Sequence, residues 1–290
     1  MKQFLLPTAP DAGGRLCLSG KDYHYLARVR RLSPGDSFDA LLPSGDQVRV
    51  LVVSADRTCL SCRCFFPEER APTADSSEAV APEPVSIVLF QALPKGTRMD
   101  LIVRQATEGG VTEIVPFESD HSILRLTGET AGRLERWRRI VKEARQQSGS
   151  AAATTVRAPA GTAGALAYWG ELRDRRPGAV GILLLTSGEW GGGPTASPSG
   201  GPPGQDPLEK GSFHGYLVKS PALVAVAIGP EGGFSPEEAS RFMAAGFKPL
   251  TIGNTVLRTE TAALYATAAI RVILLENQSW MLKTSQPLNG

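Results

Sequence analysis

Two short polar segments, each closing an apolar run, hold the residues of this chain best suited to chemistry. The first reads Ile228-Gly-Pro-Glu-Gly-Gly-Phe-Ser-Pro-Glu-Glu238 and the second Ile252-Gly-Asn-Thr-Val-Leu-Arg-Thr-Glu-Thr-Ala262. Gly229, Gly232 and Gly233 free the backbone for a sharp turn and for close approach of a ligand. A tight strand-to-helix turn would account for the glycines alone. It does not account for Glu231, which would repel a phosphate at a helix N-terminus and suits a cationic ligand or a ribose. In the second segment, a capped helix start explains Thr259 and Glu260. Arg258 stays unexplained, because a cation beside a helix N-terminus is unfavourable. Loops so close in sequence would lie side by side at the carboxyl edge of a parallel sheet, where open α/β sheets bind ligands. The pair reads as a cofactor pocket.

The motifs that are missing narrow the chemistry. The chain has no phosphate-loop, dinucleotide, nucleophile-elbow or zinc-protease signature, and its histidines, His24, His121 and His214, are far apart. An enzyme with this inventory works by positioning a reactive cofactor rather than by supplying a nucleophile. Cysteine spacing points the same way. Cys59, Cys62 and Cys64 cluster, but period-two alternation puts Leu60, Cys62, Cys64 and Phe66 on one strand face. These cysteines, with Cys17, are expected to be core thiols, with no metal site and no disulfide framework.

Net charge is only +2, so any nucleic-acid contact must come from a local patch. Arg28, Arg30 and Arg31 beside Tyr23, His24 and Tyr25 form one basic, aromatic segment, and a helix bearing Arg133 to Arg145 forms another. The first is equally readable as a solvated face and the second more readily so; together they would make one phosphate-tracking surface. No apolar run reaches the roughly 20 residues of a membrane span, and the N-terminus is broken too early by Pro7 for a signal peptide. A soluble, cytoplasmic protein is expected.

These residues are positioned by two predicted domains. Residues 1–72 hold short β-like runs separated by Ser33-Pro-Gly-Asp36 and Pro43-Ser-Gly-Asp46, a small barrel or compact sheet interrupted by a helix from an N-capping Ser19 through Leu32. Residues 73–84 form a linker rich in proline, alanine, serine and acid. From residue 85 onward strands and helices alternate as in an α/β domain: strands over 85–90, 111–117, 182–185 and 222–228, and helices over 99–109, 133–145 and 261–276. Ser235-Pro-Glu-Glu238 starts another helix, with its N-cap, proline at N1 and glutamate at N3. Between residues 188 and 211, 13 of 24 are Gly or Pro, so about 187–220 is predicted to be a mobile insertion.

Outside that insertion, nearly the whole chain resembles the SPOUT-type methyltransferases that modify N3 of a uridine in small-subunit (16S) ribosomal RNA. The resemblance rests on His24-Tyr-Leu-Ala-Arg-Val-Arg-Arg-Leu-Ser-Pro-Gly-Asp36, Lys95-Gly-Thr-Arg-Met-Asp100, Gln105-Ala-Thr-Glu108, Glu143-Ala-Arg-Gln-Gln-Ser-Gly149 and, most specifically, the two loop segments above in their order and spacing. The chain departs from the family pattern at Gly109, His121, Gln146, Ser150 and Thr255, mostly through loss of basic residues.

The resemblance implies a PUA-like β-barrel followed by an α/β domain with a deep trefoil knot, a homodimer, and S-adenosylmethionine as cofactor. It implies a pocket made by Leu185 and Thr186, by Ile228, Gly229, Pro230, Glu231 and Gly232, and by Ile252, Gly253, Leu257 and Thr259. RNA contact is expected from Arg28, Arg30, Arg31, Lys95, Arg98 and Arg145. The partner is small-subunit ribosomal RNA or the assembled subunit. For the chemistry, Arg258 is expected to stabilise negative charge on the uracil or to anchor a phosphate. Glu231 or Glu260 would accept a proton or orient Arg258. A related enzyme acting on another base or a ribose hydroxyl, and a non-catalytic RNA-binding assembly factor, are the competing readings.

Overall fold

A computed structural model describes residues 4–66, 85–126, 130–186, 212–217, 221–253 and 255–284. The chain divides into two compact units, Met1–Glu83 with Lys142–Ala153, and Pro84–Val141 with Thr154–Gly290. The predicted linker and most of the predicted insertion lie outside the described residues.

The first unit is built on a five-stranded sheet of β1 (Phe4–Leu5), β2 (Arg15–Ser19), β3 (Ser37–Leu41), β4 (Gln47–Ala55) and β5 (Cys59–Phe65), in the order β1-β3-β4-β5-β2. Alternating burial along β2, β4 and β5 puts one apolar face inward, where Leu18, Val50, Leu60, Cys62 and Cys64 pack. Two cysteines depart from the expected core thiols: Cys17 and Cys59 are disulfide-bonded. They point to the outer face, on antiparallel neighbours where Cys17 is opposite Ser61 and Cys59 opposite Ser19. Phe66 is likewise not in the core but 56% exposed, just past the end of β5. The expected helix begins at α1 (Gly20–Tyr23), but Ser19 makes no side-chain cap. It continues as a π-helical turn, His24–Val29, in which Arg30 N bonds Tyr25 O. That turn seats Leu26 in the core and leaves Arg28, Arg30 and Arg31 exposed.

The second unit is a parallel sheet with helices on both faces. Its strands are β6 (Ser86–Ala92), β7 (Glu113–Glu118), β8 (Thr155–Val156), β9 (Ala160–Gly161), β10 (Val180–Leu185), β11 (Leu223–Ile228) and β12 (Phe247–Thr251). They run β12-β10-β11-β6-β7-β8, with β9 also on β7, and every pairing is parallel. Both faces of β11 are buried, which is why its sequence is apolar throughout. Val224, Val226 and Ile228 face α2 (Arg98–Glu108), α3 (Thr130–Ser148) and α7 (Thr259–Thr284); Leu223, Ala225 and Ala227 face α4 (Thr162–Arg175) and α6 (Pro236–Ala244). A short α5 (Phe213–Leu217) buries Leu217 in the first of these cores, so the chain is already ordered there, inside the stretch predicted to be mobile. No helix among the described residues is long and apolar enough to cross a membrane.

Candidate cofactor pocket and its charged rim

The carboxyl ends of β10, β11 and β12 open into a pocket of about 570 Å³. The two loop segments are not direct neighbours, as their spacing suggested. Strand β10 lies between β11 and β12, and its own loop forms the middle wall. Of the residues expected to bind a cofactor, Leu185, Thr186, Ile228, Gly229, Pro230, Ile252, Gly253, Leu257 and Thr259 all line it. Leu184, Gly233, Phe234, Thr255, Val256 and Ala262 line it too; proximity within the same loops was the only signal for them. Glu231 and Gly232 do not. Gly232 turns its carbonyl to His121 Nδ1, 3.0 Å away, and a Cβ there would lie 3.1 Å from the His121 Cβ.

The glycine loop is held by a buried carboxylate. Ser235 caps α6 by accepting from Glu238 N at 3.1 Å, and Glu238 returns a bond from Ser235 N, completing the capping box. Glu238 is fully buried and does more than cap. It also accepts from Ser119 Oγ (2.9 Å), Asp120 N (3.1 Å) and Thr162 Oγ1 (2.7 Å), tying the end of β7 and the start of α4 to the loop. A buried charge is tolerable only with such saturation. A Cβ at Gly229 would sit 3.2 Å from the Gly233 carbonyl carbon, a tight contact that the loop backbone would have to shift to accept.

A second chain of hydrogen bonds crosses the pocket floor. Gln91, fully buried on β6, donates to Thr259 Oγ1 at 3.0 Å, and Thr259 donates to Gly229 O at 2.7 Å. Gln91 Nε2 also donates to Ala92 O, so its amide has one workable orientation and fixes the direction of the Thr259 hydroxyl. The sequence offered no sign of Gln91, because a polar residue in an apolar strand has no periodic signature.

The pocket walls carry no charged side chain among the described residues. Charge collects on the rim instead. Glu231 accepts from Lys95 N (3.1 Å) and Arg98 Nη1 (2.7 Å), and Arg98 Nε lies 3.5 Å from Glu260 Oε2. Arg98 therefore serves both candidate carboxylates, and neither makes an ion pair with Arg258. The expectation that Glu231 or Glu260 orients Arg258 is not met; Arg98 is closer to both. Arg258, between the pocket-lining Leu257 and Thr259, is exposed and has no side-chain partner among the described residues.

The residues expected to touch RNA separate into groups. Arg28, Arg30, Arg31 and Lys95 are exposed, although Arg30 also lies 5.8 Å from the Phe38 ring centroid. Arg98 is half-buried and spent on carboxylates. Arg145 corrects the expectation outright. It is only 5% exposed, its Nη1 donates to Pro43 O, and its Nε and Nη2 have no hydrogen-bond partner among the described residues. Desolvation pushes its pKa below the usual guanidinium value, and it presents nothing to a phosphate.

The profile of the RNA methyltransferase domain family matches residues 81–192 and 195–271. The ribosomal RNA small subunit methyltransferase E of Synechocystis sp. is 30% identical over 262 residues, spanning 89% of this chain and 73% of that protein. Its namesake in Mycobacterium bovis is 28% identical over 271 residues, spanning 93% and 91%. The crystal structure of a ribosomal RNA small subunit methyltransferase E from Neisseria gonorrhoeae, bound to S-adenosyl methionine, superposes with a TM-score of 0.66 at 24% identity, covering 94% of this chain and 98% of that one. The shared fold is thus an α/β methyltransferase fold.

Proposed function

The chain belongs to the RNA methyltransferase family, and on that premise we propose that it transfers the methyl group of S-adenosylmethionine to N3 of a uridine in 16S small-subunit ribosomal RNA. The observation that carries this is an uncharged pocket at the carboxyl edge of the sheet with an exposed arginine, Arg258, on its rim that has no side-chain partner among the described residues. A nucleoside polyphosphate would need cations in the walls, whereas adenosine and a sulfonium need apolar surface, hydroxyls and backbone groups. Thr186, Thr255 and Thr259, with the glycine backbone at 229 and 253, supply those.

When bound, S-adenosylmethionine supplies a methyl group made electrophilic by its sulfonium. The chain must then hold the uracil, take up the N3 proton and balance the charge left on the ring. Arg258, exposed and without a side-chain partner among the described residues, is suited to that negative charge. Glu260 is the better proton acceptor of the two carboxylates. Both Glu231 oxygens already accept from Lys95 N, and one of them from Arg98 at 2.7 Å, while Glu260 faces Arg98 Nε only at 3.5 Å and its carboxylate accepts no hydrogen bond among the described residues. Where the target uridine is paired its base has to be flipped out, because N3 is hidden in a paired helix.

In this reading the five-stranded unit is a PUA-like RNA-binding domain, the second unit carries a deep trefoil knot, and the enzyme works in the cytoplasm as a homodimer. Support for the dimer comes from α7, whose Leu264, Tyr265 and Val272 are 41%, 54% and 52% exposed along one side of the helix. The test is methyl-labelled S-adenosylmethionine with unmodified small subunits, followed by nucleoside analysis. Label in 3-methyluridine at one site supports the proposal. Label in another nucleoside overturns the base assignment, and no label with proven cofactor binding points to a non-catalytic assembly factor.

A further inference from the structure

The outer face of the first unit's sheet carries a basic and aromatic patch that the pocket does not use. Along β5, burial alternates so that Leu60, Cys62 and Cys64 face the core while Ser61, Arg63 and Phe65 face outward. Strand register assembles the patch. Arg15 of β2 lies opposite Arg63 of β5, which lies opposite Leu51 of β4. In the next outward row, Phe65 lies opposite Arg49, and Arg49 opposite Asp39. Neighbouring strands are about 4.8 Å apart, and same-face residues along a strand are spaced by about 6.8 Å. Arg15, Arg49, Arg63 and Phe65 therefore share one small area.

Asp39 neutralises Arg49 at 3.1 Å. Arg15 and Arg63 have no carboxylate partner among the described residues, and Arg63 instead lies 5.5 Å from the ring centroid of Phe65, which is 44% exposed. Like charges directly opposite each other on a sheet cost stability, and no ion pair among the described residues offsets that cost here. A polyanion would. We infer that this face follows the phosphate backbone of the RNA substrate, with Phe65 offering a stacking surface to an unpaired base. The inference rests on the reading of the chain as a ribosomal RNA enzyme. It is separate from the Arg28 segment, because Leu26 packs into the core on the inner face of the same sheet and Arg30 lies over the inward-facing Phe38.

The experiment measures binding of the full chain to a fluorescent small-subunit rRNA fragment across a salt series. An Arg15→Gln/Arg63→Gln double variant is expected to lose on the order of tenfold in affinity, and its log–log salt slope should fall by about 1.4, at about 0.7 per single-stranded phosphate contact. Phe65→Ala should weaken binding several-fold with the slope unchanged, since stacking is uncharged. The double variant should melt at or above the wild-type temperature, because a repulsion has been removed, and S-adenosylmethionine affinity should not move. Single Arg63→Gln, with about half the slope change, covers the case of a misfolded double variant. Wild-type affinity and slope in both arginine variants would overturn the inference. A wild-type chain that binds S-adenosylmethionine but no RNA sinks the enzyme reading, and this inference with it.

Discussion

Arg98 donates from Nη1 to Glu231 Oε1 across 2.7 Å, joining the start of α2 to a glycine loop 133 residues further along the chain. The same guanidinium lies 3.5 Å from Glu260, so one cation holds the rim of the pocket from three segments. On the proposed function, that pairing gives Arg98 the role of a positioning residue.

Arg98→Ala should weaken S-adenosylmethionine binding by about three- to tenfold, the loss of one partly exposed charge-assisted bond. It should reduce the methyl-transfer rate further, because Glu260 loses its neighbour. Arg98→Lys restores one charge but not the fork, and should recover only part of each loss. Calorimetry for binding and single-turnover labelling for rate separate the two effects. Full activity in Arg98→Ala would remove the residue from the argument.

Glu260→Gln and Glu231→Gln distinguish the two carboxylates. An amide oxygen at 231 still accepts from Lys95 N, so that variant should lose only severalfold in rate. Glu260→Gln removes the proposed proton acceptor and should lose about 100-fold, the scale of general base catalysis. Raising pH should recover part of the Glu260→Gln rate, as the uracil N3 ionises on its own. Equal losses in both variants, with no pH recovery, would contradict the assignment.

Arg258→Ala leaves the pocket lining intact, since Leu257 and Thr259 flank it without depending on its side chain. S-adenosylmethionine affinity should therefore stay within about twofold, while single-turnover methyl transfer falls about 100-fold or more, as for a lost oxyanion donor. A wild-type rate at saturating cofactor and RNA defeats the proposed role.

Much of this architecture was legible because it depends on local pattern. The run from Leu223 to Ile228 is apolar because both its faces are covered, and Ser235-Pro-Glu-Glu238 spells its own helix start. What could not be read is what long-range packing brings together. Glu238 looks like an ordinary capping residue until Ser119, Asp120 and Thr162 arrive from two other elements. Glu231 and Arg98 each look like candidates for substrate, yet they satisfy one another. Arg145 carried a signal that charge alone obscured. It stands four residues after the buried Val141 and next to the buried Ala144, on the apolar side of α3.

That burial leads to a prediction about Arg145. Two of its guanidinium nitrogens are buried without hydrogen-bond partners among the described residues, an uncompensated desolvation cost. Arg145→Met keeps the volume of the stem and discards the charge, so stability in urea should change by less than about 1 kcal/mol or rise. RNA affinity and its salt slope should match wild type. A slope reduced by one phosphate contact would reinstate Arg145 as an RNA ligand.

Glu118, at the end of β7, gives the pH dependence. Its carboxylate accepts from Leu126 N at 2.7 Å and from Arg125 Nη1 at 2.9 Å, and these bonds, the backbone one foremost, hold its pKa below the ordinary 4.5. A carboxyl depressed in the folded state adds stability that is complete above its unfolded value and is lost as pH falls through the folded value. Glu118→Gln should therefore cost about 1 kcal/mol at pH 7, a modest figure because Arg125 is largely exposed. Below pH 4.5 the gap between the variant and wild type should narrow, closing once pH has passed the lowered folded value and protonated Glu118 resembles glutamine. Paired urea melts at neutral and acid pH read this directly. A gap that persists unchanged at acid pH would mean that the side chain's shape, not its charge, anchors the segment after β7.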